Sequence, residues 1–392
     1  MRATLQGLTN NIIRAVWTFA YNTTRLFLYP LNYIFLYVVR GKKYENSVLH
    51  ISYMVHVPYY TVRTLRKAGL KADYLAFGAG STWDKSDYSI SYSRWPFIKA
   101  VQEFMVFWKI VARYEIIHSH FMMMVSNTGW EYPFLKKMGR KIVVNYRGCE
   151  IRDREKNMRL HPQCNICQEC DYNGRLCSGK AILHKRALAR TYGDLFLVTT
   201  PDMKDFVPDA TWLPFFIPEI NGGDHKIDKK ASGEAAGFKI VHLTNQPGIE
   251  GTEHIKKAVD DLIKKGYKIS FVFLKGVPHD LAMKELATAD LAVGKMKMGY
   301  YANAQIESMM LGVPTITFVR PEFMSEGLRR SGFIFADLTN LEETIEYYLI
   351  NPDKLEDKRR KARESILELH DNMVLSERLI SHYRSIINTP DC

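Results

Sequence analysis

From Asn46 onward, short apolar runs alternate with longer amphipathic segments, and this alternation restricts the chain to one fold class. Val48–Tyr53, Ala72–Phe77, Glu115–His118, Lys141–Asn145 and Leu195–Thr199 read as strands. Between them, Tyr59–Ala68, Phe97–Ala112, Trp130–Lys137 and Leu183–Tyr192 read as helices, the first ended by Gly69 and the third by Gly139. Apolar strands separated by helices build a parallel sheet covered on both faces. A second alternation starts at Phe238, with a strand to Leu243, a helix Glu253–Lys264, a strand Lys268–Leu274 and a helix Leu281–Ala287. It runs on into Ala289–Phe318, which reads as strand, loop Gly294–Gly299, helix, a stop at Gly312 and the strand Thr315–Phe318. At 392 residues, two domains are the natural expectation. The prediction is therefore α/β: two Rossmann-like doubly wound domains facing across a cleft. Residues 46–215 form the first and 238–392 the second with its C-terminal helices, joined by a Pro-, Gly- and Lys-containing linker at 216–237. Loops after such strands lie at the carboxyl edge of the sheet, where ligands bind.

The residues before this alternation differ in kind. The chain carries 54 Lys and Arg against 42 Asp and Glu, a net charge of +12. Residues 1–43 hold Arg2, Arg14, Arg25, Arg40, Lys42 and Lys43 and no acid. They are also rich in aromatics, including Trp17, Phe19, Tyr21, Phe27, Tyr33 and Tyr37. The apolar run Leu26–Val39 contains Pro30 and Asn32 and is too short for the ~20 residues that span a bilayer. No small-residue cleavage site follows it, so a secretory signal is not expected. Aromatic and basic residues without acids suit a helical arm, 1–45, lying on an anionic membrane surface. The competing reading is an N-terminal helical pair packed on the chain's own core. No nucleic-acid module or basic-aromatic repeat is present, and nucleic acid is not expected as a partner.

Four of the six cysteines fall close together in a Cys-rich insert at 161–180: Cys164, Cys167, Cys170 and Cys177, spaced C-x2-C-x2-C-x6-C. Such spacing suits a structural zinc held by four thiolates, with an iron–sulfur cluster as the alternative. Disulfides are not expected in a cytoplasmic protein. Cys149 and Cys392 stand apart. His118 and His120 follow a strand, where only one is expected to face a ligand, and no metal is assigned to them. Glu307 sits beside Ile306, Met309, Met310 and Leu311. A half-buried acid needs a partner, and ligand hydroxyls are one.

An ordered set of short motifs resembles the GT-B glycosyltransferases, in particular the retaining family 4 (group 1) enzymes of bacterial surface-glycan synthesis. It comprises Ile117-His118-Ser119-His120-Phe121, Tyr146-Arg147-Gly148-Cys149-Glu150-Ile151-Arg152, Thr200-Pro201-Asp202, His242-Leu243-Thr244-Asn245, Gly251-Thr252-Glu253, Gly299-Tyr300-Tyr301 and Glu307-Ser308-Met309-Met310-Leu311-Gly312-Val313-Pro314. The resemblance implies a transferase that moves a sugar from a nucleotide-sugar to a glycan or lipid-linked saccharide. It further implies retention of stereochemistry, peripheral attachment at the cytoplasmic face of the membrane and no catalytic metal; no Asp-x-Asp is present. Glu307 would take the ribose hydroxyls. Gly299, Tyr300, Tyr301 and Asn303 would present backbone N–H groups to the diphosphate. Asn245, Gly251 and Thr252 would lie near the phosphates, with Gly248 and Gly251 allowing close backbone approach. Three departures stand out. Glu250 replaces the family's phosphate-neutralising lysine, Gly299 replaces an acid eight residues before Glu307, and Arg147 replaces a histidine. Lys295, Lys297 and Arg147 are the cations that could compensate, and Arg147, Glu150 and His118 are the candidate catalytic residues. A non-catalytic binding protein and a nucleotide-sugar 2-epimerase are the alternatives of other classes.

Overall fold

The computed structural model describes residues 2–78, 85–162, 164–218 and 237–388. The chain opens with a long helix, α1 (Arg2–Val39), and then alternates as the sequence predicts. The order is β1 (Tyr44–Tyr53), α2 (His56–Lys67), β2 (Lys71–Phe77), β3 (Tyr88–Ile90), α3 (Pro96–Lys109), β4 (Tyr114–His120), α4 (Tyr132–Lys137), β5 (Lys141–Tyr146), α5 (Arg154–Leu160), α6 (Lys180–Tyr192), β6 (Leu195–Val198) and β7 (Thr211–Trp212). The second series is β8 (Phe238–Leu243), α7 (Pro247–Glu250), α8 (Thr252–Lys264), β9 (Ile269–Leu274), α9 (His279–Ala287), β10 (Leu291–Val293), α10 (Asn303–Met310), β11 (Thr315–Thr317), α11 (Glu326–Arg330) and β12 (Phe333–Phe335). Three helices close the chain: α12 (Leu341–Ile350), α13 (Pro352–Leu369) and α14 (Asn372–Asn388).

The first sheet has seven strands in the order β3-β2-β1-β4-β5-β6-β7, and the second has five in the order β12-β11-β10-β8-β9. Pairing is parallel from β3 through β5 and throughout the second sheet. Each order reverses direction once, between β1 and β4 in the first sheet and between β8 and β10 in the second. In open α/β sheets such reversals open a crevice beyond the strand ends. The second sheet is covered by α8, whose Ile255, Val259 and Leu262 recur at helical spacing and are fully buried against Ile240, Leu291 and Ile316.

The compact units are drawn differently from the predicted domains. One holds the residues up to Tyr146, Leu183–Leu197 and the end of the chain from Ser376; the other holds Arg147–Ile182 and Val198–Leu375. Packing explains both transfers. The Cys-rich segment belongs to the second unit because Ile166 and Cys167 bury themselves against Ile249. The last helix belongs to the first unit because Tyr383 is buried under β1 and β4, its hydroxyl 2.6 Å from His118 Nδ1. Most of the predicted linker, residues 219–236, lies outside the described residues.

Helix α1 is one continuous helix through Pro30, rather than a broken pair. One face packs on α3. Tyr21 donates to the Glu103 carboxylate, Trp108 Nε1 donates to Asn32 Oδ1 at 2.8 Å, and Phe35 lies edge-on to Phe104. A second stripe points outward, with Ile12, Val16, Phe19, Leu26, Phe27, Ile34 and Tyr37 all exposed. Among the described residues, no helix is long and apolar enough to cross a membrane.

Candidate functional site

The second unit brings together the loops that follow β8 and β10, on either side of the point where its sheet reverses. Thr252, at the start of α8, is held by a buried histidine. His242 Nδ1–H donates to the Val293 carbonyl at 2.8 Å, which leaves Nε2 to accept from the Thr252 hydroxyl, also at 2.8 Å. Burial pushes the His242 pKa down, consistent with this neutral tautomer. Gly251 stands at φ +82°, a left-handed turn in which a side chain would be strained. Asn245 Oδ1 accepts from the Gly276 N–H at 2.9 Å, so it braces the neighbouring loop.

Glu307 lies in the middle of α10 and is largely buried. His279, at the start of α9, donates from Nε2 to Glu307 Oε1 at 3.0 Å. This hydrogen bond raises the histidine's pKa, against the opposing effect of burial. Nothing in the sequence pattern points to His279, which is 28 residues away. Asn303 opens α10, one helical turn ahead of Glu307.

The cations are arranged differently from expectation. Lys295 does not face a ligand. Its ammonium is 2.6 Å from Glu250 Oε1, and the side chains are 13% and 4% exposed. A carboxylate in the lysine's usual place has drawn the next available lysine onto itself. Lys297 is also engaged, 3.0 Å from Glu169 Oε2 of the Cys-rich segment. The cation that sequence reasoning misses is Arg320. Its side chain fills the space over Gly299, where an added Cβ would come within 2.9 Å of Arg320 Cγ. Arg320 Nη1 donates to Asp205 Oδ2 at 2.8 Å and to His161 Nε2 at 2.6 Å, and the guanidinium lies 4.3 Å over the Phe323 ring. The residue is 8% exposed, and its Nη2 has no hydrogen-bond partner among the described residues. A cavity of about 20 Å³ lies here, lined by Arg320, Lys297, Arg152 and Gly299 among others. A signal for it exists in the sequence: glycine in place of a family acid vacates volume that another side chain must fill.

Tyr300 and Tyr301 are core residues by their side chains. Their rings stack at 4.5 Å, Trp212 meets Tyr300 edge-on, and the Tyr301 hydroxyl is 3.0 Å from His370 Nε2. His370 donates from Nδ1 to the Phe215 carbonyl, and burial holds its pKa down at about 4. Only the tyrosines' backbone remains for a ligand. Glu150 is likewise turned inward. Its buried carboxylate accepts from the Arg147 N–H and closes its own loop, while burial raises its pKa. The Arg147 guanidinium lies 5.5 Å over the Phe215 ring. Arg152 is paired with Asp202, both buried; burial works against its charge, and Asp202, Cys149 and Glu150 together outweigh it. The expected metal ligands separate: Cys167, Cys170 and Cys177 line one cavity, and Cys164 lines another.

His118 belongs to the first unit. Residues two apart on a strand share a face, so His118 and His120 point the same way, against the expectation that only one would. Both stack with His50, which pairs with His118 in the register of β1 and β4. Their ligand atoms fall within 4.8 Å of one another. The ring planes are nearly parallel, at 18–29°. His50 Nδ1 is 2.9 Å from His120 Nε2, and His118 Nδ1 is 2.6 Å from the Tyr383 hydroxyl.

No protein-family model matches the chain, and no curated protein matches it in sequence. Solved structures do match in fold. Anabaena HepE in complex with UDP and glucose aligns at a TM-score of 0.56 with 10% identity, over 87% of this chain and 100% of that one. Sucrose-phosphate synthase from Thermosynechococcus elongatus aligns at 0.56 with 12% identity, over 87% and 99%. The catalytic domain of starch synthase IV from Arabidopsis thaliana, bound to ADP and acarbose, aligns at 0.57 with 9% identity, over 88% and 100%. At this identity the likeness is one of fold, and the fold of this chain is that of the GT-B glycosyltransferases.

Proposed function

We propose that the protein is a glycosyltransferase that uses a nucleotide-sugar donor, without a catalytic metal. The observation that carries this reading is Glu307, a largely buried carboxylate on α10 at the carboxyl edge of the second sheet, beside the point where strand order reverses. An acceptor-only group there suits vicinal ribose hydroxyls. The donor's phosphates would meet the backbone of the 294–303 loop and the Arg320 guanidinium, whose buried Nη2 has no hydrogen-bond partner among the described residues. Retention of configuration and a glycan or lipid-linked acceptor follow from the family resemblance. The outward stripe of α1, with Arg14, Arg40, Lys42 and Lys43 exposed around it, supports docking on an anionic membrane.

A binding protein without turnover is the second reading. It is favoured by the engagement of both loop lysines with acids, Lys295 with Glu250 and Lys297 with Glu169. One experiment separates the two. A panel of UDP-, ADP-, GDP- and TDP-sugars is screened by thermal shift, and hits are followed for nucleotide release with and without lipid-linked acceptor. The transferase reading expects stabilisation that Glu307→Ala abolishes, together with nucleotide release. Binding without release supports the second reading, and no binding by any donor refutes both.

A further inference from the structure

Three histidines meet inside the first unit, and strand register brings them there. Val48, His50 and Ser52 share one face of β1, and Ile116, His118 and His120 share one face of β4. Val48 pairs with Ile116 and His50 with His118, so the two faces are the same side of the sheet. The apolar pair comes first and the imidazoles follow toward the carboxyl edge. All three histidines are at most 1% exposed. Each offers a ligand atom within 4.8 Å of those of the other two. From α14, the buried Tyr383 reaches them with its hydroxyl.

We propose that His50, His118 and His120 together bind one zinc ion, as a structural site of the first unit. Three imidazoles without a carboxylate are a donor set for zinc, copper or nickel rather than for magnesium or calcium. Zinc holds imidazole nitrogens at about 2.0–2.1 Å in a tetrahedron, which sets the nitrogens roughly 3.3 Å apart. His50 Nδ1 and His120 Nε2 stand 2.9 Å apart. The Tyr383 hydroxyl is 2.6 Å from His118 Nδ1 and 3.4 Å from His50 Nε2. As acceptor from both rings it fixes their tautomers, so that His118 ligates through Nε2 and His50 through Nδ1. A shared outer partner of this kind is what metal-bound histidines have on their second nitrogen. Zinc with three protein ligands takes water in the fourth position. Two buried oxygens stand ready for that water. Asn145 on β5 is the register partner of His120, and Ser52 follows His50 on the same face of β1. Asn145 Oδ1 and Ser52 Oγ have no hydrogen-bond partner among the described residues, although the side chains are 4% and 0% exposed. A buried acceptor without a donor is costly, and a zinc-bound water donates two hydrogen bonds. Imidazole coordinates in its ring plane, so the rings turn about χ2, a broad torsion in histidine, and neither strand has to move.

Such an ion cross-links β1 to β4 and, through Tyr383, holds the last helix of the chain to a strand 265 residues earlier. The full chain is expressed with zinc in the medium and purified without chelator. Its metal content is measured by mass spectrometry, and the zinc environment by X-ray absorption. The expected result is one zinc per chain with a first shell of nitrogen and oxygen alone, at about 2.0–2.1 Å. Tyr383→Phe keeps the ring and its packing, and is expected to weaken zinc about 10- to 100-fold in competition with a chelator of known affinity. The wild-type spectrum decides the matter without a histidine variant having to fold, and it does not depend on whether a nucleotide-sugar binds. A chain that carries no zinc, a first shell with sulfur at about 2.3 Å, or unchanged affinity in Tyr383→Phe overturns the proposal.

Discussion

The Glu250–Lys295 pair gives the sharpest test of how this site has been rebuilt. At 2.6 Å and an effective dielectric of 20, the two charges attract by roughly 6 kcal/mol. Most of that offsets the cost of taking both out of water, and the pair as a whole contributes little. Removing one partner is different. Glu250→Ala leaves the Lys295 ammonium 13% exposed and uncompensated; Lys295→Met leaves Glu250 at 4% exposure, its Oε2 already without a hydrogen-bond partner among the described residues. Each single change is expected to cost about 3–5 kcal/mol, whereas Glu250→Leu with Lys295→Met costs within ~1 kcal/mol of zero. For a unit of about 200 residues this corresponds to a fall in melting temperature of about 6–20 °C for each single variant. Urea unfolding followed by tryptophan fluorescence gives the four corners of the cycle. A coupling energy below about 0.5 kcal/mol would show that the lysine is solvated rather than captured. It would then be available to a phosphate, and the assignment of that role to Arg320 would fail.

Other consequences are accessible to simple measurements. Burial raises the Glu103 pKa to about 7, outweighing the Tyr21 hydrogen bond and Lys99 that oppose it. The folded state therefore binds the extra proton between its ordinary 4.5 and 7, and stability falls by about 3 kcal/mol as pH rises through that window, then levels off. Glu103→Gln should flatten the profile measured by urea midpoints across this range; an unchanged slope counts against it. Arg320→Gln should weaken nucleotide-sugar binding by about 10- to 100-fold in calorimetry, as the loss of a charge-assisted contact does, and an unchanged Kd removes Arg320 from the donor site. Leu26→Asp with Phe27→Asp, both on the outward stripe of α1, should abolish flotation with anionic liposomes and leave the melting temperature within a few degrees. Equal flotation of the variant assigns that stripe to something other than a membrane.

The fold is legible because parallel strands are apolar on both faces, and five such runs before the linker and four after it stand out against helical spacing. The short strands β3, β7 and β12 escape sequence reading, whereas β10 and β11, also three residues long, are marked by the glycines and proline that bound them. In α1, Pro30 and Asn32 look like a break. The helix continues because Asn32 points inward, where it donates to the Leu28 carbonyl at 3.2 Å and accepts from Trp108. That satisfies a polar group buried to 4% exposure, and no local pattern announces a partner 76 residues away. The unit boundaries are illegible for the same reason. Chain order places Arg147–Ile182 with the first sheet, and only tertiary contacts, such as Ile166 against Ile249, place it with the second.

The glycines of the site show what a motif does and does not specify. The resemblance has Gly248 and Gly251 letting a phosphate approach the backbone. At Gly248 the close approach is real, but the group that approaches is protein: an added Cβ would lie 2.0 Å from the Glu169 carbonyl oxygen. Beside it, the Asp171 carboxylate accepts from the Gly248 N–H at 3.2 Å and the Ile249 N–H at 3.0 Å. Glu169 meanwhile engages Lys297. Two carboxylates of the Cys-rich segment thus occupy the amides and the lysine that the resemblance gives to a diphosphate. A donor phosphate that used these groups would have to displace both acids, which trades one anion for another and gains little net electrostatic energy. Arg320 lies over Gly299 in the same loop cluster, paired with Asp205 and Glu322, and its Nη2 is buried without a hydrogen-bond partner among the described residues. Gly299 under Arg320 and Glu250 beside Lys295 are the two positions at which acid and cation are paired within the protein here.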